Sequence, residues 1–218
     1  MMALAYEIMP RGAGIREHLI PPGGIVIGDG VTLRAAAEDH AEDEHWRGWT
    51  LARVAEITAR MAPWVTTWCA PAIMRGGQDW GGRCLAGCQT LAVSTSTGAS
   101  HACATTYHEL GHALDGYLLP GPRAVLDAAT AGVDWPGDYL ADPAERRARL
   151  IENACMSLDH GATLHAAPGS ATEIAWACYT GEIARQRNAA IAAVDAARMG
   201  APVLSRFGPT SVIFRQAA

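Results

Sequence analysis

Between Thr105 and Asp115 the chain reads Thr-Thr-Tyr-His-Glu-Leu-Gly-His-Ala-Leu-Asp, and no other stretch limits its fold as much. His108 and His112 are four residues apart, so a helix projects both from one face about a turn apart, the separation at which two imidazoles grip one zinc ion. Apart from His108, Glu109 and His112, every position from Thr105 to Leu114 is uncharged. A buried helix requires this, because a stray charge there would be desolvated and unpaired. Two histidines and a carboxylate on such a helix demand a partner. Glu109 follows the first histidine, where its carboxylate can take the proton of a water at the metal's open position as that water attacks a carbonyl. Asp115 shares the face of both histidines and is expected to orient one imidazole through its other ring nitrogen. Gly116 offers a helix stop, with Pro120 and Pro122 beyond it.

The rest of the chain is built to bury such a helix. Of its 218 residues, 50% are hydrophobic and 18% charged, enough for a substantial core without disulfide or metal staples. With neither an internal repeat nor a linker, residues 1–218 read as a single domain, 1–120 holding a sheet and the active helix and 121–218 a helical part with the third metal ligand. No apolar run approaches the ~18 residues of a membrane-spanning helix, and the first residues lack the order of an export signal. The expectation is a soluble, cytoplasmic chain. The net charge of −5 argues against nucleic-acid or anionic-membrane partners. All 17 basic residues are arginine, which reads as base composition and supports no function. The six cysteines read as reduced, buried thiols, with Cys84, Cys88, His101 and Cys103 a lesser candidate for a second metal site.

Ile25 to Leu33 carries a hairpin signal around Gly28-Asp29-Gly30, with neither the third glycine nor the following helix of a dinucleotide loop. From about Ala35 to Met61 the sequence reads helical, with Trp46, Trp49, Val54, Ile57 and Met61 expected on one face and the acidic run Glu38–Glu44 solvated near its start. Gln89 to Thr95 has the content of a strand, expected at the sheet edge, and the active helix is expected at about 103–115.

His108-Glu109-Leu110-Gly111-His112-Ala113-Leu114-Asp115 resembles the zincin metallopeptidases, and among them most resembles the group of the anthrax lethal factor catalytic domain and related phage-associated peptidases. The longer metzincin motif is excluded, since it needs glycine at Asp115 and a ligand at Leu118. The resemblance implies an α+β fold: a small mixed sheet whose edge strand pairs with an extended substrate, an active-site helix, and a helical C-terminal subdomain. It also implies a zinc endopeptidase acting on a peptide or protein. The alternative is a zinc-binding interaction or structural protein that keeps the fold without turnover. Intact Glu109 favours the enzyme.

The resemblance further implies a glutamate as third ligand from a later helix. In Ala144 to Leu158 the residues Leu150, Ile151, Ala154, Cys155 and Leu158 form an apolar stripe, and Glu152 points away from it among arginines, so it is expected to be solvated. Ser170 to Gly181 is apolar all round, with Glu173 its only charge. Glu173 is therefore the expected ligand, although Ser170-x-x-Glu173 also reads as a capping box; Glu152, Asp159 and His160 stay open. For the donor that stabilises the developing oxyanion, the resemblance implies a tyrosine shortly before the ligand glutamate, where this chain has alanine. His165 is the expected substitute, with Tyr139 the other candidate.

Overall fold

The computed structural model describes residues 4–8, 15–35, 44–62, 65–85, 89–96, 98–116, 118, 120–131, 137–160 and 192. The architecture is α+β, with two sheets and four helices among these residues. The first sheet is mixed and orders its strands β2 (Ile15–Leu19), β1 (Leu4–Ile8), β5 (Thr66–Ala70), β9 (Thr90–Ser94), β8 (Gly82–Leu85). Only β5 and β9 run parallel. The second sheet is antiparallel, in the order β3 (Ile25–Gly28), β4 (Val31–Arg34), β6 (Ala72–Arg75), β7 (Gln78–Trp80). The helices are α1 (Glu44–Met61), α2 (Ala99–Asp115), α3 (Pro120–Ala131) and α4 (Pro143–His160).

Strand alternation sorts the first sheet into two faces. Ile8, Cys69, Leu91 and Val93 point to the side covered by α1 and α2, where Val54, Ile57, Met61, Ala102 and Leu110 complete the core. Ala5, Ala70, Leu85 and Ala92 point the other way, against Val31, Leu33 and Ile73 of the second sheet. The result is three layers: helices, mixed sheet, antiparallel sheet.

The turn between β3 and β4 has Asp29 at φ 46° and Gly30 at φ 71°, the left-handed pair that a tight Asp-Gly hairpin needs. The strand anticipated at 89–95 is β9, but it is not an edge. Leu91, Ala92, Val93 and Ser94 are all buried, because both faces are covered and β5 and β8 flank it. The edge next to it is β8. In α1, Val54, Ile57 and Met61 are fully buried as expected, whereas Trp49 is 48% exposed. At 100° per residue Trp49 sits ~140° round the helix from Val54, outside the stripe that faces the sheet. Trp46 and the acidic residues 38–43 are not described at side-chain level or at all. α2 stops at Gly116 as expected, and Pro120 beyond it opens α3, as suits a residue whose missing N–H costs nothing in a first helical turn. Among the described residues no helix is long and apolar enough to cross a membrane.

Cys69 lies fully buried on β5, and burial, with Cys103 beside it as a smaller cause, pushes its thiol up to about 12. Iodoacetamide at mildly alkaline pH should leave Cys69 unmodified in the folded chain and alkylate it in urea, as read by peptide mass spectrometry. The folded value is raised above the ordinary 9.0, so this group's contribution to stability is whole below 9.0 and is lost as pH climbs towards 12. Cys69→Ala should flatten that alkaline decline.

Candidate metal centre

Two helices build the site, and a glycine lets them meet. A Cβ on Gly111 would lie 2.5 Å from the Ala148 carbonyl oxygen, so only glycine allows α2 and α4 to approach this closely. Glu145, Ala148 and Glu152 follow one another at three- and four-residue steps on α4, so the face that touches Gly111 also carries both carboxylates to the histidines. Asp142 precedes α4, its Oδ1 accepting the Ala144 amide at 2.8 Å, and Pro143 is the first helical residue. Glu145 thus sits in the first turn, where the helix dipole favours a carboxylate.

Glu145 Oε2 lies 3.1 Å from Nε2 of His108 and 3.1 Å from Nε2 of His112. All three ligand atoms fall within 4.8 Å of one another, and this is the one such group among the described residues. The two histidine–glutamate separations are close to the edge of a tetrahedron with zinc–ligand bonds of ~2.0–2.1 Å, about 3.3 Å. The three side chains could therefore hold a metal ion. On the other side of His108, Nδ1 donates to Glu152 Oε2 at 3.2 Å, which fixes the ring and leaves Nε2 facing the centre. Glu152 in turn accepts from Arg149 Nη1 at 2.8 Å and 3.1 Å.

Burial alone would lower the His108 pKa, but hydrogen bonds to Glu145 and Glu152 outweigh it and push the group up to about 9. For Glu145 burial works against ionisation, yet His108, His112 and Tyr139 together hold its carboxyl well below the ordinary range. Glu109 is 7% exposed, and burial raises its pKa despite the nearby histidines. Tyr139, from a short 3-10 helix at Asp138–Ala141, brings its hydroxyl to 3.0 Å from His108 Nε2. Tyr139 is 51% exposed, but partial desolvation of its hydroxyl and the bond to Glu145 raise its pKa and keep it protonated.

The structure brings together His108, Glu109 and His112, with Tyr139, the alternative to His165 as donor, beside them, and adds Glu145, which the sequence analysis did not single out. Glu152 is corrected: it is 6% exposed and bonded to His108, not solvated. Asp115 does not orient an imidazole. Its carboxylate accepts Arg147 Nε at 2.8 Å and Nη2 at 3.3 Å, while Arg147 Nη1 reaches Asp127 at 2.6 Å, tying α2, α3 and α4 together. Glu173 and His165 lie outside the described residues, as does Cys88; Asp159 and His160 end α4 without described side chains.

The centre opens into a cleft of about 640 Å³ with β8 along one wall and Tyr139 along the other. β8 crosses α2 so closely that a Cβ on Gly82 would lie 2.4 Å from Thr105 Cγ2 and 3.0 Å from Glu109 Cγ. Its outer edge has no strand partner among the described residues. Compared with known proteins, the chain matches no family model, no curated protein and no solved structure.

Proposed function

We propose that this chain is a zinc-dependent peptidase with a zincin-like site, in which His108, His112 and Glu145 hold the metal and Glu109 is the general base. The observation that carries the reading is the convergence of those three ligand atoms within 4.8 Å, with buried Glu109 beside them. Zinc, when bound, supplies Lewis acidity at an open position, polarising a peptide carbonyl and acidifying water. Glu109 accepts the proton of the attacking water, holds it out of solvent, and passes it to the departing amine. Tyr139 presents a protonated hydroxyl as a donor to the developing oxyanion. β8, the last strand of its sheet among the described residues, runs beside Glu109, a position that suits an extended chain lying along it.

One observation favours a metal-binding protein without turnover. Both ring nitrogens of His108 bond to carboxylates, so the cluster also closes as ion pairs that tie α2 to α4 and serve structure without chemistry. Such a protein has no use for a base at Glu109. Elemental analysis should find close to one zinc per chain, and the zinc-loaded protein should cleave peptides in a manner abolished by chelator and restored by zinc. Metal at one per chain with no cleavage across varied peptides would decide for the second reading.

A further inference from the structure

The two helices that carry the proposed ligands meet most closely where Gly111 faces the Ala148 carbonyl. Around that point Leu110, Leu114, Leu150 and Ile151 belong to one apolar cluster, which resists separation of the helices but has no direction and leaves their crossing angle soft. Polar pairs stand on both sides of the crossing. Before Gly111 on α2, His108 bonds to Glu152, which follows Ala148 on α4. After Gly111, the Asp115 carboxylate accepts Arg147 Nε at 2.8 Å and Nη2 at 3.3 Å, one bond to each oxygen.

That second pair is directional, because a planar guanidinium and a carboxylate make two bonds at once in only one relative orientation. Arg147 is 9% exposed and the Asp115 side chain 14%, so solvent screens it little. His112 and Glu145 lie on the same side of the crossing, between Gly111 and Asp115 on one helix and just before Arg147 on the other. The pair therefore fixes the two stretches of backbone that bring His112 Nε2 and Glu145 Oε2 to 3.1 Å. Asp127 makes the contrast. It accepts Nη1 of the same guanidinium at 2.6 Å, but its side chain is 44% exposed and it joins α4 to α3 rather than to α2.

We propose that Asp115 and Arg147 are positioning residues for the metal: their two-point pair sets the α2–α4 angle, and with it the spacing of His112 and Glu145 that one ion needs. This rests on the metal-site reading above. Neither side chain is assigned a bond to the ion. Asp115 stands four residues beyond the crossing point, about 6 Å along the axis, so the pair acts as a brace at the end of a lever. A metal site needs its ligands held to within ~0.5 Å, and a helix free to swing does not hold them so.

The test reads zinc affinity by competitive chelator titration and the visible d–d bands of the cobalt(II)-loaded chain, which report ligand geometry, beside thermal melts of the metal-free proteins. Asp115→Asn turns one acceptor into a donor but leaves the bond from Arg123 Nη2 to the Asp115 carbonyl, and should lower zinc affinity about tenfold and shift the cobalt bands. Arg147→Lys keeps the charge without the fork, and should also lose affinity. Asp127→Asn should leave affinity within about twofold and the bands in place, since it removes only a solvent-screened pair outside the crossing. Equal losses of affinity in Asp115→Asn and Asp127→Asn overturn the assignment, since the effect would then follow the charge on Arg147 and not the crossing angle. A lowered melting temperature in Asp115→Asn with affinity and bands unchanged makes the pair a structural tie and overturns it too. Unchanged affinity in Arg147→Lys does the same, whether or not Asp115→Asn folds. In each of these results the metal-site reading stands. A wild-type chain that binds neither zinc nor cobalt overturns both.

Discussion

Glu145→Ala should lose the metal that the proposed site holds. With the carboxylate gone, two imidazoles on one helix remain, and zinc affinity should fall by more than the ~10–100-fold that follows loss of an outer-shell partner. Glu152→Ala supplies that milder comparison. It leaves all three ligand atoms in place but removes the acceptor at His108 Nδ1, 3.2 Å away, so the ring can turn and affinity should drop by about 10–100-fold. Competitive chelator titration of both variants gives the order, and thermal melts of the metal-free proteins show whether either has unfolded. Glu173→Ala belongs in the same series. Were it to release zinc while Glu145→Ala kept it, the third ligand would move to the later segment and Glu145 would be only the acid that neutralises His108 and His112.

How far the sequence could lead is clearest at these residues. His108, Glu109 and His112 are legible because their geometry is local: four residues of helix set the spacing, whatever packs against it. The Asp-Gly hairpin is legible for the same reason, since the turn needs left-handed residues wherever it occurs. Glu145 is not. Asp142-Pro143-Ala144-Glu145 is an ordinary helix start, with a cap, a proline and an acid in the first turn, and nothing local says that the acid points at His108 and His112. Glu152 misleads further, because its burial is made affordable by His108, 44 positions away in sequence, and by Arg149. The apolar stripe of α4 therefore understates the buried face, which also includes Arg147 and Glu152 as paired charges. Strand placement fails in the same manner. The composition of residues 90–94 shows a strand, but its central position depends on β5 and β8 pairing on either side, and a continuous buried run is its only local trace. Gly111 and Gly82 are a further case. Each permits an approach that defines the site, yet in sequence each is one glycine among 23.

Glu109→Gln separates binding from turnover. The amide keeps the size of the carboxylate in a position that is 7% exposed, so the helix and the three ligands should stay as they are and zinc content should be unchanged. What is lost is the ability to accept a proton. General acid–base catalysis contributes typically 10²–10⁴-fold, and here one residue serves both the attack and the departure of the amine, so kcat should fall by at least about 10²-fold. KM should change little, because Glu109 is assigned no part in holding the ground-state peptide. Tyr139→Phe makes a useful companion: it removes only a hydroxyl at the far side of the centre, and should lower kcat while leaving metal content unchanged. The informative result is the pair of measurements together. Full metal with little turnover in Glu109→Gln places the carboxylate in the chemistry; full metal with undiminished turnover removes it. Loss of metal would mean instead that the buried carboxylate supports the histidines electrostatically, the part a non-catalytic metal protein would give it.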